Sequence, residues 1–414
     1  MHYAVLILGL ILCASGIWSS GREGLSILIN SYASATNQLD AADRSVRLSP
    51  SSPEAHYLRA SLLSQKQSGA EAVRAYEQAA ALRPRDYVLW LELGLARDRA
   101  NDNAGALTAF RESTRLAPFY ASPRWQLGQT LLRAGLLAEG LAELRRASAS
   151  DPKLMPQSIN LAWILLNRDP RAVDQALQPK TQSAHLAMAT FLAAHGKSEE
   201  ALTHVRAAGA LTNEQKQHIL KELLAGKHFL EAYEIWSSGR RIGSGDSSVR
   251  IPAIVDGGFE ESIGLDDPGF GWQVSNRSQS VRTSLDPSSP NAGSYSLRVD
   301  WNGDSDPSIP TISQLLIVEP NTRYRLSFAA RTHEMRTIGL PVVAIADPAS
   351  DGYTILKESE AFARGTSGWR NYSIEFTSGT ASAVQIIVRR QQCETTPCAA
   401  LGHAWVDSVW VEKL

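Results

Sequence analysis

The chain has 414 residues, enough for two or three compact domains, each with its own core. Its 41 Lys and Arg balance 42 Asp and Glu to a formal net charge of -1, which excludes an overall electrostatic drive toward nucleic acid or anionic lipid. Up to about Ser237 the sequence is rich in Ala and Leu. After about Gly239 it turns to Gly, Ser, Thr, Val, Pro and aromatics, the pattern expected of a helical part followed by a strand-rich part.

Residues 1–22 read as a membrane anchor or signal segment. Ala4 to Trp18 is apolar and the first charge is Arg22. The run is shorter than the roughly 20 residues of a spanning helix and falls in the range of a signal-peptide apolar region. No Lys or Arg precedes it, as a signal would ask, but Ala14-Ser15-Gly16 offers a small-residue cleavage site. Leu12 stands before Cys13 where lipidation wants a small residue. An uncleaved anchor, a cleaved signal and a buried first helix all stay open. Either of the first two places the rest of the chain outside a bacterial-type cytoplasm, on the periplasmic side.

Pro50, Pro84, Pro118 and Pro152 recur every 34 residues. Between them Ala60, Gly94, Gly128 and Ala162 share one small position, and Ala72, Ala106 and Gly140 another. Tyr76, Phe110 and Leu144 follow four residues later, then Ala79, Ser113 and Ala147. Small residues let two helices approach, larger ones fill the seam, and proline ends the second helix for lack of a donor N–H. On these residues the sequence resembles the tetratricopeptide repeat family, clearly over 33–152 and in degenerate form to Trp236, for an array of 31–236. One shortened unit is expected between Asp169 and Thr181.

That resemblance implies an α-solenoid whose concave face receives a protein partner. By the family's register the groove carries Tyr57, Leu91 and Trp125 in one row, with Gln65, Arg99 and Arg133 in another. The Asn positions of the carboxylate-clamp members fall on Ser61, Leu95 and Gln129, which argues against that ligand type. Packing of Tyr57 and Trp125 between hairpins is the alternative for those side chains.

Residues 237–250 read as a flexible linker by their Ser, Gly and Arg content. Beyond it, over 251–414, seven alternating segments stand between turn signals: Tyr295 to Trp301, Ser313 to Val318, Arg323 to Ala329, Val342 to Ala346, Arg370 to Phe376, Ala383 to Arg390 and Ala404 to Val411. With no helix pattern among them, they predict an antiparallel β-sandwich. The landmarks Asp256-Gly257-Gly258-Phe259-Glu260, Gly271-Trp272, Gly293-Ser294-Tyr295, Gly368-Trp369 and Trp405-Val406-Asp407-Ser408 resemble jelly-roll, galactose-binding-like carbohydrate-binding modules. The fold class is therefore multidomain, α then β: a tetratricopeptide-like α-solenoid followed by a jelly-roll sandwich.

The second resemblance implies a structural calcium held by Asp256, Glu260 and Asp407, although Ser408 replaces the family's second closing acid. It also implies a glycan partner. Sugar rings stack on exposed aromatics, for which Trp272, Trp301, Tyr353, Trp369 and Trp410 are available. Trp369 and Trp405 match core positions of the family, which leaves Trp301, Tyr353 and Trp272 as the contacts to expect. Cys393 and Cys398, five apart across a turn-like Glu-Thr-Thr-Pro, suit a small disulfide loop in an oxidising compartment. With His403 they supply three zinc ligands, but no fourth is near.

No phosphate-cradling Gly-rich loop, His-Glu-x-x-His or Gly-x-Ser-x-Gly occurs. The acid pairs Asp266-Asp267 and Glu358-Ser359-Glu360 lie in loop-like sequence, where solvated charge explains them. The sequence reads as a non-catalytic scaffold at a bacterial cell envelope, with a protein partner, a candidate polysaccharide partner in assembly or export, a membrane contact through residues 1–22, and no nucleic acid. The alternatives are a purely protein–protein scaffold, a glycoside hydrolase accessory and a cytoplasmic co-chaperone.

Overall fold

The computed structural model describes residues 2–414 apart from 67, 239–250, 253, 262, 264–267, 275–278, 351–353 and 394–396, with side chains described from Ala14 onward. The chain divides into two compact units, Met1–Ala184 and His185–Leu414.

The first unit is a run of antiparallel helix pairs: α1 (His2–Thr36) with α2 (Leu39–Leu48), α3 (Pro53–Gln65) with α4 (Gly69–Leu82), α5 (Tyr87–Arg99) with α6 (Asn103–Leu116), and α7 (Ala121–Arg133) with α8 (Leu137–Ser150). A tight turn at Pro152–Leu154 leads to α9 (Met155–Leu165) and α10 (Pro170–Leu177). Side-chain oxygens of Ser52, Asp86 and Asp102 cap α3, α5 and α6 by accepting from the first-turn amides of Ala55, Val88 and Gly105. The second helix of each pair ends two residues before its proline. That proline's carbonyl is then bonded by the side chain six residues on: His56 to Pro50, Trp90 to Pro84 and Arg124 to Pro118. The bond recurs at 34-residue spacing and fixes the turn between repeats.

Small residues at the hairpin crossing seat the larger ones. A Cβ added to Gly94 would stand 2.5 Å from the Phe110 ring, and one on Gly128 would stand 3.0 Å from Leu144. Ser26 and Ser45 lie one period before Ala60 and Ala79. They meet at the α1–α2 crossing, hydroxyl to hydroxyl at 2.9 Å. The array therefore begins with a complete hairpin, earlier than the residue 31 read from sequence, because serine stands in for the small apolar residue and satisfies its hydroxyl across the seam. The expected shortened unit is α10, which runs only from Pro170 to Leu177 and stops at Gln178 with φ 45°.

α1 continues without a break from the apolar segment into this first hairpin. Among the described residues no helix is long and apolar enough to cross a membrane. The side chains of 1–13, where most of the expected anchor falls, lie outside the described residues. In later repeats the positions equivalent to Gly21 and Leu28 are buried against the preceding hairpin, as Ala55 and Leu62, Leu89 and Ala96, Pro123 and Thr130. On α1 they face solvent, with Leu28 69% exposed beside exposed Ile17, Trp18, Leu25 and Tyr32.

The second unit takes in most of α11 (Gln182–Ala194), then α12 (Ser198–Ala208), α13 (Asn213–Ala225), α14 (Phe229–Ser237) and the strands. The compact division thus falls inside the helical array rather than at 237–250, most of which lies outside the described residues. Within this unit α14 packs on the segment that leads into the strands. Tyr233 and Trp236 close on the buried Phe270 at ring distances of 4.9 and 5.7 Å. Gly269 allows this approach, since a Cβ there would stand 2.3 Å from the Trp236 indole nitrogen.

Two five-stranded antiparallel sheets follow. One has the order β1 (Gln273–Val274), β4 (Ile312–Ile317), β9 (Ala383–Arg390), β6 (Pro341–Asp347), β7 (Thr354–Glu358). The other has β2 (Val281–Asp286), β3 (Ser296–Asp304), β10 (Ala399–Lys413), β5 (Arg323–Thr337), β8 (Gly365–Thr377). All seven expected strands are present. β1, β2 and β7 are additional, each too short or too polar to show alternation. Tyr324, Leu326 and Phe328 of β5 enter the core with Leu297, Val299, Ala404, Val406, Val343 and Ile386, as period-2 alternation requires.

Candidate functional site

In the solenoid, Tyr57 is half-buried and meets Tyr76 edge-on at 5.9 Å. Burial, with the nearby Glu92 carboxylate, pushes the Tyr76 phenol up to about 12, and burial also raises the Glu92 carboxyl. Leu91 packs on the cluster around Phe110, and Trp125 is half-buried. Arg133 pairs with Asp98 of the preceding repeat at 2.5 Å, whereas Arg99 is exposed. The expected rows are thus partly spent on packing within and between hairpins.

In the sandwich the aromatic expectations need correction. Trp301 is 3% exposed and lies in the core with Leu297 and Val299. β3 runs on to Asp304, so this ring sits within the strand and at its inward parity. Trp272 is likewise in the core, its ring tilted against Phe259 at 4.9 Å and its indole donating to the Asp256 carbonyl at 2.9 Å. Neither ring is available to a sugar. Tyr353 lies outside the described residues.

The calcium ligands do not converge either. Asp256 accepts from the amides of Glu260 and Glu261 at 2.7 and 2.9 Å. Glu260 accepts from Ser294 and Tyr295 at 2.8 and 3.2 Å. Asp407 is fully buried and accepts from Asn291, Ala292 and Ser408 at 2.7, 3.1 and 2.6 Å. Each carboxylate accepts from backbone N–H groups, Glu260 through its Oε1 alone. Among the described residues no three His, Cys, Asp or Glu gather as a metal site. Cys393 and Cys398 are joined as a disulfide, and His403 bonds Asp300 instead, at 2.6 Å.

The side chains that do converge lie on the face of sheet β2-β3-β10-β5-β8 turned away from the core. Across it, Leu401 stands between Asn302 and Arg336. His403 stands between Asp300 and His333, with Arg282 beyond Asp300, and Trp405 stands between Arg298 and Arg331. A bulge at Ser408 (φ 54°) shifts the alternation by one residue, so Trp410 lies beside Ser327 on the same face as Trp405, 50% exposed. Trp405 is a hub. Arg331 stacks on its ring at 4.1 Å and Arg298 at 5.3 Å, and its indole donates to Asp286 at 2.7 Å. Arg331 also lies 5.3 Å from the half-buried Trp369. Burial lowers the pKa of the Arg331 guanidinium.

The loop of residues 287–295 crosses the middle of this face. Its carbonyls at Ser288 and Ser289 accept from Arg331 and from the Trp369 indole at 2.7 and 3.0 Å, and its amides cap Asp407. The loop buries Trp405 and leaves two open regions. At one end stands Trp410. At the other is a polar cleft of about 520 Å³ whose lining includes Arg282, Asp300, Asn302, Arg336, Leu401 and His403. Sequence reading missed this face, although the alternation that sends Leu297 and Val299 inward sends Arg298 and Asp300 outward.

Residues 252–396 match the family model described as a carbohydrate binding domain. Over those residues the chain is similar to carbohydrate-binding modules, and ahead of them stands an array of antiparallel helix pairs. Solved structures similar to its helical part include MamA from Desulfovibrio magneticus RS-1, at 17% identity over 38% of this chain and 94% of that chain, TM-score 0.34. Another is YrrB, described as a TPR protein with an unusual peptide-binding site, at 19% identity over 45% of this chain and 82% of that chain, TM-score 0.30. At these values the likeness adds nothing to the hairpin geometry above. No curated protein matches the chain.

Proposed function

We propose that this protein is a non-catalytic scaffold at a bacterial cell envelope, holding a protein partner in the solenoid groove and a glycan on the outer face of the sandwich. The observation that carries the reading is the half-exposed Trp410, on the same sheet face as the polar cleft, within a domain matched to carbohydrate binding. An exposed indole offers sugar C–H faces an apolar platform, and the polar residues further along the face can bond hydroxyls. The apolar N-terminal segment and the disulfide support an export or anchoring role, and the bare apolar face of α1 supports attachment at that end.

Native affinity electrophoresis of the full chain through gels carrying soluble polysaccharides tests the glycan arm. Retardation by at least one polysaccharide, reduced in Trp410→Ala at unchanged melting temperature, is expected. Migration unaffected by every polysaccharide would leave the protein–protein scaffold. That second reading draws on the structural bonds that hold two of the face's tryptophans, Trp369 to the loop carbonyl of Ser289 and Trp405 to Asp286 of β2.

A further inference from the structure

We propose that the polar cleft at one end of the outer sheet face takes an anionic glycan, a polysaccharide bearing carboxylate or sulfate groups, with Arg282 and Arg336 as its anion contacts. This rests on the glycan-binding reading above and narrows it to a charge class. The two arginines stand on opposite walls, β2 and β5, three strand spacings apart, about 14 Å. Between them the floor is built by Asp300, Asn302, Leu401 and His403.

Three observations point to an acid. First, both guanidiniums are uncommitted. Arg298 is paired with Asp300 at 2.7 Å, Arg331 is stacked on Trp405 and bonded to the Ser288 carbonyl, and Arg325 is paired with Glu375 and Glu412. Arg282 and Arg336 are exposed and, among the described residues, make no side-chain hydrogen bond or ion pair.

Second, the cleft's acids do not cancel them. Asp300 is already engaged by Arg298 and His403, at 2.7 and 2.6 Å, which leaves Glu334 as the remaining carboxylate among the described lining residues. Third, no exposed aromatic ring lines the cleft among the described residues, because Trp301 is buried. A neutral sugar would find no stacking platform there. A uronate or sulfate ester would find two free forks of N–H donors, the geometry that matches planar carboxylate and sulfate oxygens.

The test uses the full chain in affinity electrophoresis against polygalacturonate, dextran sulfate, unsubstituted dextran and, as a non-glycan polyanion, polyglutamate. Retention is expected on polygalacturonate or dextran sulfate, and the difference between those two tells which acid group is read. It should weaken as salt rises toward 0.15 M, where charges are screened beyond about 8 Å. The double variant Arg282→Ala/Arg336→Ala should bind roughly tenfold or more weakly at an unchanged melting temperature, the effect of losing a hydrogen bond to a charged group.

Retention on either acidic glycan that is untouched by the double variant overturns the assignment. So does equal retention on polyglutamate, which would mark a generic cationic patch. Retention on neutral dextran alone overturns the charge class while leaving the glycan-binding reading standing. No retention on any polysaccharide, neutral or acidic, is the distinct failure of that reading itself.

Discussion

Asp407 offers a sharp test of how the glycan face is held together. It is fully buried, and its carboxylate accepts three backbone amides, two of them in the loop that crosses the face. Asp407→Ala leaves all three donors without that acceptor. Each buried donor left without a partner costs about 1–3 kcal/mol, and because Asn291 and Ala292 are exposed, water reaches part of the gap. The low end applies, about 3 kcal/mol in total. For a unit of this size each kcal/mol moves the melting temperature by about 2–4 °C, so a fall of roughly 10 °C is expected in near-ultraviolet circular dichroism, which reads the tryptophan-rich sandwich. Addition of calcium or of EGTA should leave the wild-type melt unchanged. A loss below about 1 kcal/mol would refute the capping argument. A wild-type melting temperature that rises with calcium and falls with EGTA, and does neither in the variant, would show that Asp407 holds a cation instead.

Two further outcomes follow from the packing and the charges. Gly94→Ala places a methyl 2.5 Å from the Phe110 ring and should destabilise the solenoid by about 1–3 kcal/mol in urea unfolding, an effect Phe110→Leu in the same chain should partly relieve. Simple additivity of the two would contradict the contact. Burial alone would raise the Asp286 carboxyl, but hydrogen bonds from the Trp405 indole and Ser288, with the charge of Arg298, hold it below its ordinary value of 3.8. Because the folded value is the lower one, this stabilisation is complete above 3.8 and is lost as pH falls through the folded value. Asp286→Asn should therefore flatten the acid limb of melting temperature against pH below about 4, and an unaltered slope there would remove Asp286 as its source.

The solenoid was legible in the sequence because its packing is local and repeated. A small residue at Gly94 and a ring at Phe110 meet in the same hairpin, so the 34-residue period exposes the pair without any knowledge of long-range contacts. The same arithmetic reaches back to Ser26 and Ser45, which composition hides because serine is polar. The seven expected strands were legible for the same reason, since alternation is a property of consecutive residues.

What the sequence by itself determined was therefore the order and kind of the elements: hairpins of helices, then strands with a defined inward parity. Only the tertiary structure decided which side chains share a surface. In sequence Trp301 reads as a sugar contact and Trp405 as a core position, yet Trp301 faces the opposite sheet and Trp405 the outer face, under Arg331. Arg282 and Arg336 are 54 positions apart and become walls of one cleft because β3 and β10 are inserted between their strands. Asp256, Glu260 and Asp407 read in sequence as one set of acids, but the fold turns each carboxylate to its own backbone N–H groups.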